Sequence, residues 1–448
     1  MTTHSIKRLP VDTGVSGWDA ISTRSTPVRT LDGRVTADWL IIGAGFAGLS
    51  AARRLSQLRP DDSIVVVDAH EIAKGPAGRN SGFMIDVPHS LSSGEYSVAG
   101  ESATSREIAQ NRFAIDFASK AAQEYGMSAT TFDPSGKINA CASARGARLN
   151  INYAKSLKSI GERYELLDTA QMREITGSDY YSGGLFTPGA VVIQPAQYIR
   201  DLADGLSTKI SLYEHSPIIE LSRSGADWTA HSTKGAITAP KVILAVNGHI
   251  EDFGHFQGRL LHVFTYASMT AGFRDDVAKG RGTGRDSWAL LPADPMGATV
   301  RKISAQGQSR IVIRTRFTYD PSIQVTAARV AEVAREQRES LDARFPELKA
   351  VALEFSWAGR LCLSRNSAAA FGEVEENLYS ACCENGLGTV KSTLAGVLAA
   401  ELATGTHSRF LDDFSSSPGP SKLPPKILTR LGVRSVISWQ ALRAGREG

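Results

Sequence analysis

The chain has 448 residues, a formal net charge of +4 and four cysteines. Its length predicts two domains, or one domain with a large insertion, and its 42% hydrophobic and 21% charged residues are typical of a globular enzyme. The mild charge argues against a nucleic-acid-binding protein but suits an anionic substrate. No run approaches the roughly 18 apolar residues of a membrane span, and the N-terminus lacks the apolar region of a secretory signal. Without a Cys-x-x-Cys pair, we expect free thiols and a cytoplasmic protein that does not contact membranes.

Residues 1–35 form a polar leader that we expect to be mostly irregular and to pack on the outside of the first domain. Residues 38–68 then read as strand, tight turn, helix and strand. Gly43, Gly45 and Gly48 form the turn in the order G-x-G-x-x-G, and Asp68 follows the second strand. This order is typical of a dinucleotide-binding unit in an α/β fold.

Each part of this unit has a physical role. Gly43 permits the sharp turn, Gly45 lets a pyrophosphate approach the backbone, and Gly48 lets the helix pack close to the strand. The helix begins near Phe46 and Ala47, where its free N–H groups favour phosphate. The carboxylate that ends the second strand is suited to ribose hydroxyls. The unit by itself does not separate FAD from NAD.

A glycine-rich segment, residues 71–89, follows directly and should run beside the cofactor. Arg79, Asn80 and Ser81 offer hydrogen-bond donors there, although an ordinary surface loop is the alternative. His89 ends the segment and is a candidate for the pocket wall, with a surface role as its alternative.

Periodic patterns predict the remaining elements in order. We expect helices at 104–126, 142–160, 167–176 (capped by Asp168), from 195, 325–344 and 392–404, and strands at 210–221, 228–234, 237–247, 260–273 and 310–319, with further strands in 353–391. Residues 414–425 predict a linker. The basic tail after it predicts a helix packed on the cofactor domain with its basic face in water. A helix lying on an acidic membrane is the alternative.

The strand at 310–319 alternates apolar and basic residues, which places Arg314 and Arg316 on one face. Two guanidinium groups there would hold an anionic substrate, whereas an exposed sheet face is the alternative. We find no spacing typical of metal ligands.

Five segments in order resemble the D-amino-acid-oxidase-like flavoproteins, the family with sarcosine, glycine and γ-glutamylputrescine oxidases. They are ADWLIIGAGFAGLSAARRL, GPAGRNSG, APKVILAVNG, SWAGRLCLSRNSAAAFGEV and NGLGTVKSTLAG. The resemblance implies a Rossmann-like FAD-binding domain of the GR2 type with an inserted mixed β-sheet substrate domain. It assigns 36–86, 191–255 and 357–412 to the FAD domain, 87–190 and 256–356 to the substrate domain, and 413–448 to a tail helix.

The resemblance also implies the cofactor residues and the reaction. FAD would contact Gly43, Gly45, Phe46, Ala47, Gly48, Asp68, Ala69, Arg79, Asn80, Ser81, Ile218, Gly386, Leu387, Gly388 and Thr389. Tyr266 and Met269 would lie on a strand, 260–273, where the family has aromatic or apolar walls against the substrate, with core packing as the alternative. The reaction would be oxidation of the carbon–nitrogen bond of an amine or amino acid, with O₂ or another electron acceptor. The alternatives are a flavin- or nucleotide-binding module without turnover, and an NAD-dependent enzyme. A homodimer is compatible with each of these functions.

Two departures from the family pattern concern the last motif and the flavin linkage. Glu384 and Asn385 precede the glycines, and Leu387 stands where relatives often have histidine. Lys391 lies one residue beyond the family's carboxylate-binding lysine, which turns a helix by about 100°. Cys362 lies one position from the family's flavin-linked cysteine, so we expect FAD to be non-covalent.

Overall fold

A computed structural model describes residues 2–88, 98–274, 284–305, 307–416 and 418–448. The strands are β1 (Thr3–Ser5), β2 (Gly33–Thr36), β3 (Trp39–Ile42), β4 (Ile64–Val67), β5 (Phe83–Met84), β6 (Phe132–Asp133), β7 (Lys137–Cys141), β8 (Glu165–Leu167), β9 (Gly183–Thr187), β10 (Val191–Ile193), β11 (Ser211–Tyr213), β12 (Ile218–Ser224), β13 (Asp227–Ser232), β14 (Gly235–Ala239), β15 (Lys241–Leu244), β16 (Leu260–Thr270), β17 (Trp288–Pro292), β18 (Thr299–Ala305), β19 (Gln308–Tyr319), β20 (Leu353–Ser364), β21 (Ala370–Glu375) and β22 (Leu378–Cys382). The helices are α1 (Gly17–Ala20), α2 (Phe46–Leu58), α3 (Val98–Glu124), α4 (Ala144–Ser159), α5 (Thr169–Thr176), α6 (Pro195–Gly205), α7 (Ala327–Arg344), α8 (Gly388–Thr404), α9 (Arg409–Ser415) and α10 (Lys426–Ala444).

A six-stranded sheet in the order β11-β4-β3-β15-β22-β21 forms the first layer. Its strands run parallel except for the β21–β22 hairpin. Strands β3 and β4 are wholly apolar and buried on both faces, as parallel strands between helices must be. The carboxyl ends of β3 and β4 therefore meet at one edge, where the glycine turn and Asp68 follow.

Helices α2 and α8 cover one face of this sheet and touch closely. A side chain on Gly396 of α8 would lie 2.0 Å from the carbonyl oxygen of Ala47, so only glycine permits this approach. Helix α8 is buried along almost its whole length and has no polar face. This packing places the middle of α8, at Gly396, against the start of α2.

A second layer is an eight-stranded mixed sheet in the order β20-β16-β19-β18-β17-β7-β9-β8. It is antiparallel apart from the β17–β7 pair, and α7 packs on its β16–β19–β20 part. The predicted mixed substrate sheet is confirmed. Strand β20 belongs to it as far as Ser364, so the sheet extends past the predicted boundary at residue 356.

A five-stranded sheet in the order β1-β12-β13-β14-β2 includes two short strands of the leader and corrects one prediction. The leader is mostly irregular, as predicted, and it supplies β1 and β2 to the two edges of this sheet. The predicted strand 237–247 is in fact two strands, β14 and β15, in different sheets. Pro240 separates them because it has no N–H to continue a ladder. At this edge His4 Nε2 lies 2.7 Å from the carboxylate oxygen Oε1 of Glu375, and His255 lies beside them.

The three-stranded sheet β5-β10-β6 and the helical segments complete the fold. All six predicted helices are present, with ends that differ by a few residues. Asp168 caps α5 as predicted, because its side chain accepts from Gln171 N and the Gln171 side chain returns a contact to Asp168 N. Helix α8 begins at Gly388 rather than at residue 392, which brings Lys391 into its first turn.

The C-terminal helix α10 does not pack as predicted. Its neighbour is β19 of the eight-stranded sheet rather than the cofactor domain, and most of its apolar side chains are exposed. Within the described residues, no helix is both long and apolar enough to cross a membrane.

Candidate functional site

A cavity of about 700 Å³ lies between the six-stranded and eight-stranded sheets. It runs from the carboxyl ends of β3 and β4, past residues 75–82, to the turn that precedes α8. Sixteen of the residues predicted for the site line it: Gly43, Gly45, Phe46, Ala47, Asp68, Ala69, Arg79, Asn80, Ser81, Ile218, Arg314, Gly386, Leu387, Gly388, Thr389 and Lys391. Segments that are far apart in the sequence therefore meet in one elongated space.

The glycine turn forms one end of the cavity. Gly43 has φ 106°, a left-handed conformation that glycine adopts without strain. Gly48 lies behind the turn, where an added Cβ would approach the Gly43 carbonyl oxygen to 1.8 Å. Asp68 accepts hydrogen bonds from Ala44 N at 2.8 Å and His70 N at 2.9 Å. Burial raises the pKa of Asp68 above its ordinary value, although these two N–H donors favour its charged form.

In the loop after β4, the Arg79 side chain uses its donors within the protein, whereas the sequence predicted that it offers them to the cofactor. Its guanidinium donates to the carbonyl oxygens of Lys74 at 2.6 Å, Thr13 at 3.0 Å and Gly14 at 2.7 Å. The side chain therefore fastens the leader to the loop and has little capacity left for a phosphate. Burial lowers the pKa of Arg79, which the negative charges of Asp12 and Asp19 partly offset.

Asn80 and Ser81 shape the same loop. Asn80 donates to Ala77 O at 2.6 Å and accepts from Gly82 N at 2.8 Å, which closes the turn. Ser81 Oγ lies 3.4 Å from Arg314 Nε, so this loop reaches the eight-stranded sheet. The contact joins the predicted cofactor side of the cavity to its predicted substrate side.

Arg314 carries a buried positive charge on the cavity wall. Its guanidinium lies over the Phe317 ring at 5.2 Å, and its Nη1 is buried without a hydrogen-bond partner in the described part of the chain. Burial lowers the pKa of Arg314 to about 10, so the group still carries its proton at neutral pH. An unbalanced buried charge of this kind is costly unless a ligand compensates for it.

Arg316 does not share the face of Arg314, which corrects the prediction. Thr265 on β16 pairs with Phe317 whereas Tyr266 pairs with Thr315, so Arg316 is an extra residue in a β-bulge. It has φ 58°, and its guanidinium pairs with Glu336 on α7. The bulge shifts the alternation by one residue, so that Phe317 rather than Arg316 joins Arg314 at the cavity.

Tyr266 also lies away from the cavity. Its ring belongs to a buried cluster with Val330 and Val333 of α7, and its hydroxyl is 2.7 Å from Thr318 Oγ1. Burial raises the pKa of Tyr266, which suits a packed phenol rather than a proton donor at neutral pH. Met269 is fully buried against Gly17, so the alternative interpretation of this residue, core packing, is the correct one.

Lys391 lies at the cavity wall, and its Nζ pairs with Glu107 Oε1 of α3 at 2.6 Å. Both side chains are roughly one-quarter exposed, at 25% and 30%, which places the pair beside an opening of the cavity. The ion pair already satisfies Lys391, so Arg314 is the better anion receptor. His89 lies outside the residues that the structure describes.

The turn before α8 has an unusual backbone. Cys383, Asn385 and Gly386 have φ values of 61°, 53° and 88°. Asn385 supports the turn by accepting from Ser364 N at 2.7 Å, and Thr389 donates to the Phe83 carbonyl oxygen. The first N–H groups of α8 therefore face the cavity, where they suit a developing negative charge.

Glu384 lines the cavity within this turn and is only 7% exposed. Burial raises the pKa of Glu384 to about 7, although Ser392 and its own backbone N–H offset part of the effect. The sequence marked Glu384 as a departure but gave no indication of its burial.

Cys362 reaches the same region but in an unreactive setting. It is 3% exposed within an apolar cluster, and Cys383 Sγ donates to its carbonyl oxygen at 3.8 Å. Contact with the Cys383 thiol and burial raise the pKa of Cys362 well above its ordinary value. A thiol held in its neutral form is a poor nucleophile, which favours a non-covalent cofactor.

Sequence reasoning missed a polar cluster on the cavity wall. Arg360 on β20 donates to Asp12 Oδ2 at 2.9 Å and contacts the His249 ring, while His262 lies 2.6 Å from Glu251. Arg360 stands in SWAGRLCLSRNSAAAFGEV, one of the segments that carry the family resemblance, and this was its only signal in the sequence. The cluster links the leader to the centre of the cavity.

The cavity fits FAD on its own features. A glycine turn, a helix N-terminus and a strand-end carboxylate suit the adenosine diphosphate part, and the elongated space continues to a second helix N-terminus at α8. Residues 38–402 match the family described as FAD dependent oxidoreductase. The chain belongs to this family. It is therefore an FAD-dependent oxidoreductase, and the NAD-dependent and non-catalytic alternatives are set aside.

Curated relatives agree over nearly the full length. The chain is 25% identical over 408 residues to gamma-glutamylputrescine oxidoreductase of Escherichia coli (strain K12), covering 90% of this chain and 92% of the relative. It is 24% identical over 414 residues to the probable oxidoreductase OrdL of Haemophilus influenzae, covering 89% and 90%. The predicted resemblance to this group of amine and amino-acid oxidoreductases is confirmed.

Solved structures share the fold. Glycine oxidase from Geobacillus kaustophilus has a TM-score of 0.68 at 16% identity, covering 87% of this chain and 100% of that one. L-amino acid deaminase from Proteus myxofaciens, in complex with anthranilate, has a TM-score of 0.67 at 15% identity, covering 90% and 97%. The predicted FAD domain with a mixed β-sheet substrate domain is confirmed.

Proposed function

We propose that this enzyme oxidises the carbon–nitrogen bond of a small amine or amino acid that carries a carboxylate. The product is an imine, which water hydrolyses to a carbonyl compound and an amine or ammonia. The observation that carries the proposal is the guanidinium of Arg314 on the cavity wall, whose Nη1 is buried without a hydrogen-bond partner among the residues that the structure describes.

Arg314 would receive the substrate carboxylate. Its side chain lines the cavity, and its Nη1 has no hydrogen-bond partner in the described part of the chain. Ser81 Oγ is 3.4 Å from its Nε, and the Phe317 ring lies 5.2 Å from the guanidinium. A carboxylate would neutralise the buried charge and form charge-assisted hydrogen bonds. This interaction fixes one end of the substrate, and so limits which carbon faces the cofactor.

The remaining side chains would hold FAD and shield the reaction. When bound, FAD accepts a hydride from the carbon next to the nitrogen. Asp68 has oxygen lone pairs for ribose hydroxyls beyond those used by Ala44 and His70. Apolar Phe317 and Leu291 on the cavity wall limit water near Arg314, which strengthens its attraction for an anion.

The names of the relatives support the substrate class. Gamma-glutamylputrescine, glycine and L-amino acids are amines with a carboxylate, and the chain spans nine-tenths or more of the relatives concerned. The final electron acceptor, O₂ or another acceptor, belongs to the same proposal, as do the cytoplasmic location and the absence of nucleic acid among its partners.

A substrate panel tests the proposal. The purified holoenzyme is incubated with amino acids, N-alkylated amino acids and γ-glutamylated diamines, once with O₂ and once with a dye acceptor without O₂. We expect loss of the oxidised flavin absorbance and release of a carbonyl product with a carboxylated amine. Turnover only of amines without a carboxylate would contradict the proposed substrate class.

Arg314→Gln sharpens the test, and Arg316→Gln is its matched control. We expect Arg314→Gln to raise KM for the carboxylated substrate about 10- to 100-fold, because a charge-assisted bidentate contact is lost. The amide analogue of that substrate should be affected much less. Arg316→Gln removes the same charge two residues away, on the α7 side, and should leave KM nearly unchanged. Equal effects of both variants would overturn the assignment of Arg314.

A further inference from the structure

Helix α10 exposes an apolar surface that the fold does not cover. Its exposed side chains are Ile427 at 75%, Leu428 at 61%, Leu431 at 63%, Val436 at 54%, Trp439 at 60% and Leu442 at 77%. Elsewhere on the described chain, large exposed apolar side chains are scattered and reach at most 58%, at Val15. A contiguous apolar patch of this kind indicates an interaction surface.

The apolar side chains lie opposite the docked side of the helix. Only Thr429 and Ala444 are buried, and Val433 and Ile437 are half-buried beside them. At about 100° per residue, these four side chains share one face. Five of the six exposed apolar residues, all except Val436, occupy an arc of about 120° centred on the opposite side. The helix therefore presents this arc away from the body of the protein.

Basic residues border the apolar arc, and no acidic residue lies within α10. Arg430 and Arg434 lie along one edge and Arg443 along the other, and all three are exposed. Lys426 adds a further exposed charge at the start of the helix. An apolar face between basic edges is the pattern of a helix that lies in a membrane interface, and Trp439 suits the headgroup region.

Contacts at both ends hold this orientation. Before α10, Leu423 N donates to Gly258 O at 2.9 Å. After it, Glu447 accepts from Ala142 N at 3.0 Å, and Arg344 donates to the Glu447 carbonyl oxygen at 3.1 Å. With both ends fastened, the helix cannot turn its apolar arc inward without breaking these contacts.

We propose that α10 docks the protein on a lipid surface that carries anionic headgroups, with its axis in the plane of the surface. The charges favour this occupant over a second copy of the chain. Two copies paired through the arc would bring arginine edges together without any carboxylate from α10, whereas anionic headgroups supply the opposite charge. The four basic residues also exclude a spanning arrangement for this helix, which matches its low hydropathy.

Vesicle co-sedimentation of the holoenzyme tests the proposal. Vesicles of equal parts phosphatidylcholine and phosphatidylglycerol are compared with vesicles of phosphatidylcholine alone, at low and high salt. We expect binding to the mixed vesicles, much weaker binding to the neutral ones, and a loss of binding at high salt. Equal binding to both vesicle types, or to neither, would overturn the proposal.

A triple variant, Leu431→Ser with Trp439→Ser and Leu442→Ser, identifies the surface. We expect more than about a ten-fold loss of vesicle binding, because three large apolar side chains no longer enter the lipid. The control is Ile151→Ser with Leu166→Ser, which removes exposed apolar side chains elsewhere and should bind as before. Flavin absorbance and thermal unfolding verify that each variant is folded.

The oligomeric state distinguishes lipid docking from the alternative, in which a second copy of the chain covers the apolar arc. Size-exclusion chromatography with light scattering is run on the unmodified protein and the triple variant. If the triple variant changes a dimer to a monomer and neither form binds vesicles, the arc is an interface between two copies and the proposal is wrong. An unchanged oligomeric state with lost vesicle binding supports lipid docking.

Discussion

The two ends of the cavity differ in how far apart along the chain their parts lie. At the adenosine end, Ala44 N donates to the Asp68 carboxylate across 24 residues, all within one strand–helix–strand unit. At the proposed substrate end, Ser81 meets Arg314 across 233 residues, and Thr389 meets Phe83 across 306. One end is a local motif and the other is an assembly of distant segments.

This difference decides what a side chain can do at each end. In the local unit, backbone N–H groups and close packing form the site, so the glycines themselves are the functional residues. At the remote end, the register of a strand decides which side chain faces the cavity. A single bulge at Arg316 removes one arginine from the site and brings Phe317 in.

The largest expected effect is at the local end, for Gly48→Ala. The added Cβ would meet the Gly43 carbonyl oxygen at 1.8 Å, so α2 and β3 must move apart. We expect a loss of more than about 3 kcal/mol in stability and no retained FAD. Soluble yield, flavin absorbance and thermal unfolding measure the effect.

Gly45→Ala is the matched control for that prediction. Its Cβ would meet only Ala77 Cβ, at 3.4 Å, and its backbone is extended, so the fold should tolerate it. Because Gly45 lines the cavity, FAD binding should still weaken by about ten-fold or more. If Gly45→Ala unfolds the protein as Gly48→Ala does, the two glycines do not have separate roles.

A second, smaller effect is expected at Glu384, which lines the cavity in the turn before α8. Its pKa is raised from 4.5 to about 7, so the folded state holds this proton more tightly than the unfolded state. The stability that this proton supplies is fully present below pH 4.5 and is lost as pH rises through about 7. We expect Glu384→Gln to stabilise the protein by about 2 kcal/mol more at pH 8 than at pH 5.

Urea unfolding of the holoenzyme at the two pH values measures this difference. Glu376→Gln provides the control, because Glu376 is 70% exposed and pairs with Arg223 at the surface. It should show no comparable gain at pH 8. The burial argument fails if Glu384→Gln gives the same change in unfolding free energy at both pH values.

The sequence predicts the local end well, because its signals are short in range. The glycine spacing, two apolar strands and Asp68 determine the β3–α2–β4 unit without reference to the rest of the chain. Helices with clear caps, such as α5 after Asp168, are predictable for the same reason. Together with the five segments of family resemblance, these signals were sufficient for the fold class and for FAD.

The remote end was less predictable because its signals are long in range. Alternation alone puts Arg314 and Arg316 on one face, and only the pairing with β16 reveals the bulge. Tyr266 was assigned to the cavity because the resembling family has aromatic walls on this strand, but α7 covers its side of the sheet. For Arg79, residue type suggested a hydrogen-bond donor beside the cofactor, whereas its donors bind the carbonyl oxygens of Thr13 and Gly14 in the leader.

The smallest expected effect tests the bulge directly. Arg316 has φ 58°, which costs a residue with a side chain about 1 kcal/mol relative to glycine. Arg316→Gly and Arg316→Ala both remove the ion pair with Glu336, so the two variants differ only in backbone preference. We expect the glycine variant to be the more stable by about 1 kcal/mol in urea unfolding.

The same pair of substitutions at Arg314, which lies in regular β19, is the control. There the order should reverse, with alanine more stable than glycine by about 0.5–1 kcal/mol. If the alanine variant is also the more stable one at position 316, the bulge assignment is wrong. The strand would then be regular there, with Arg316 on the same face as Arg314.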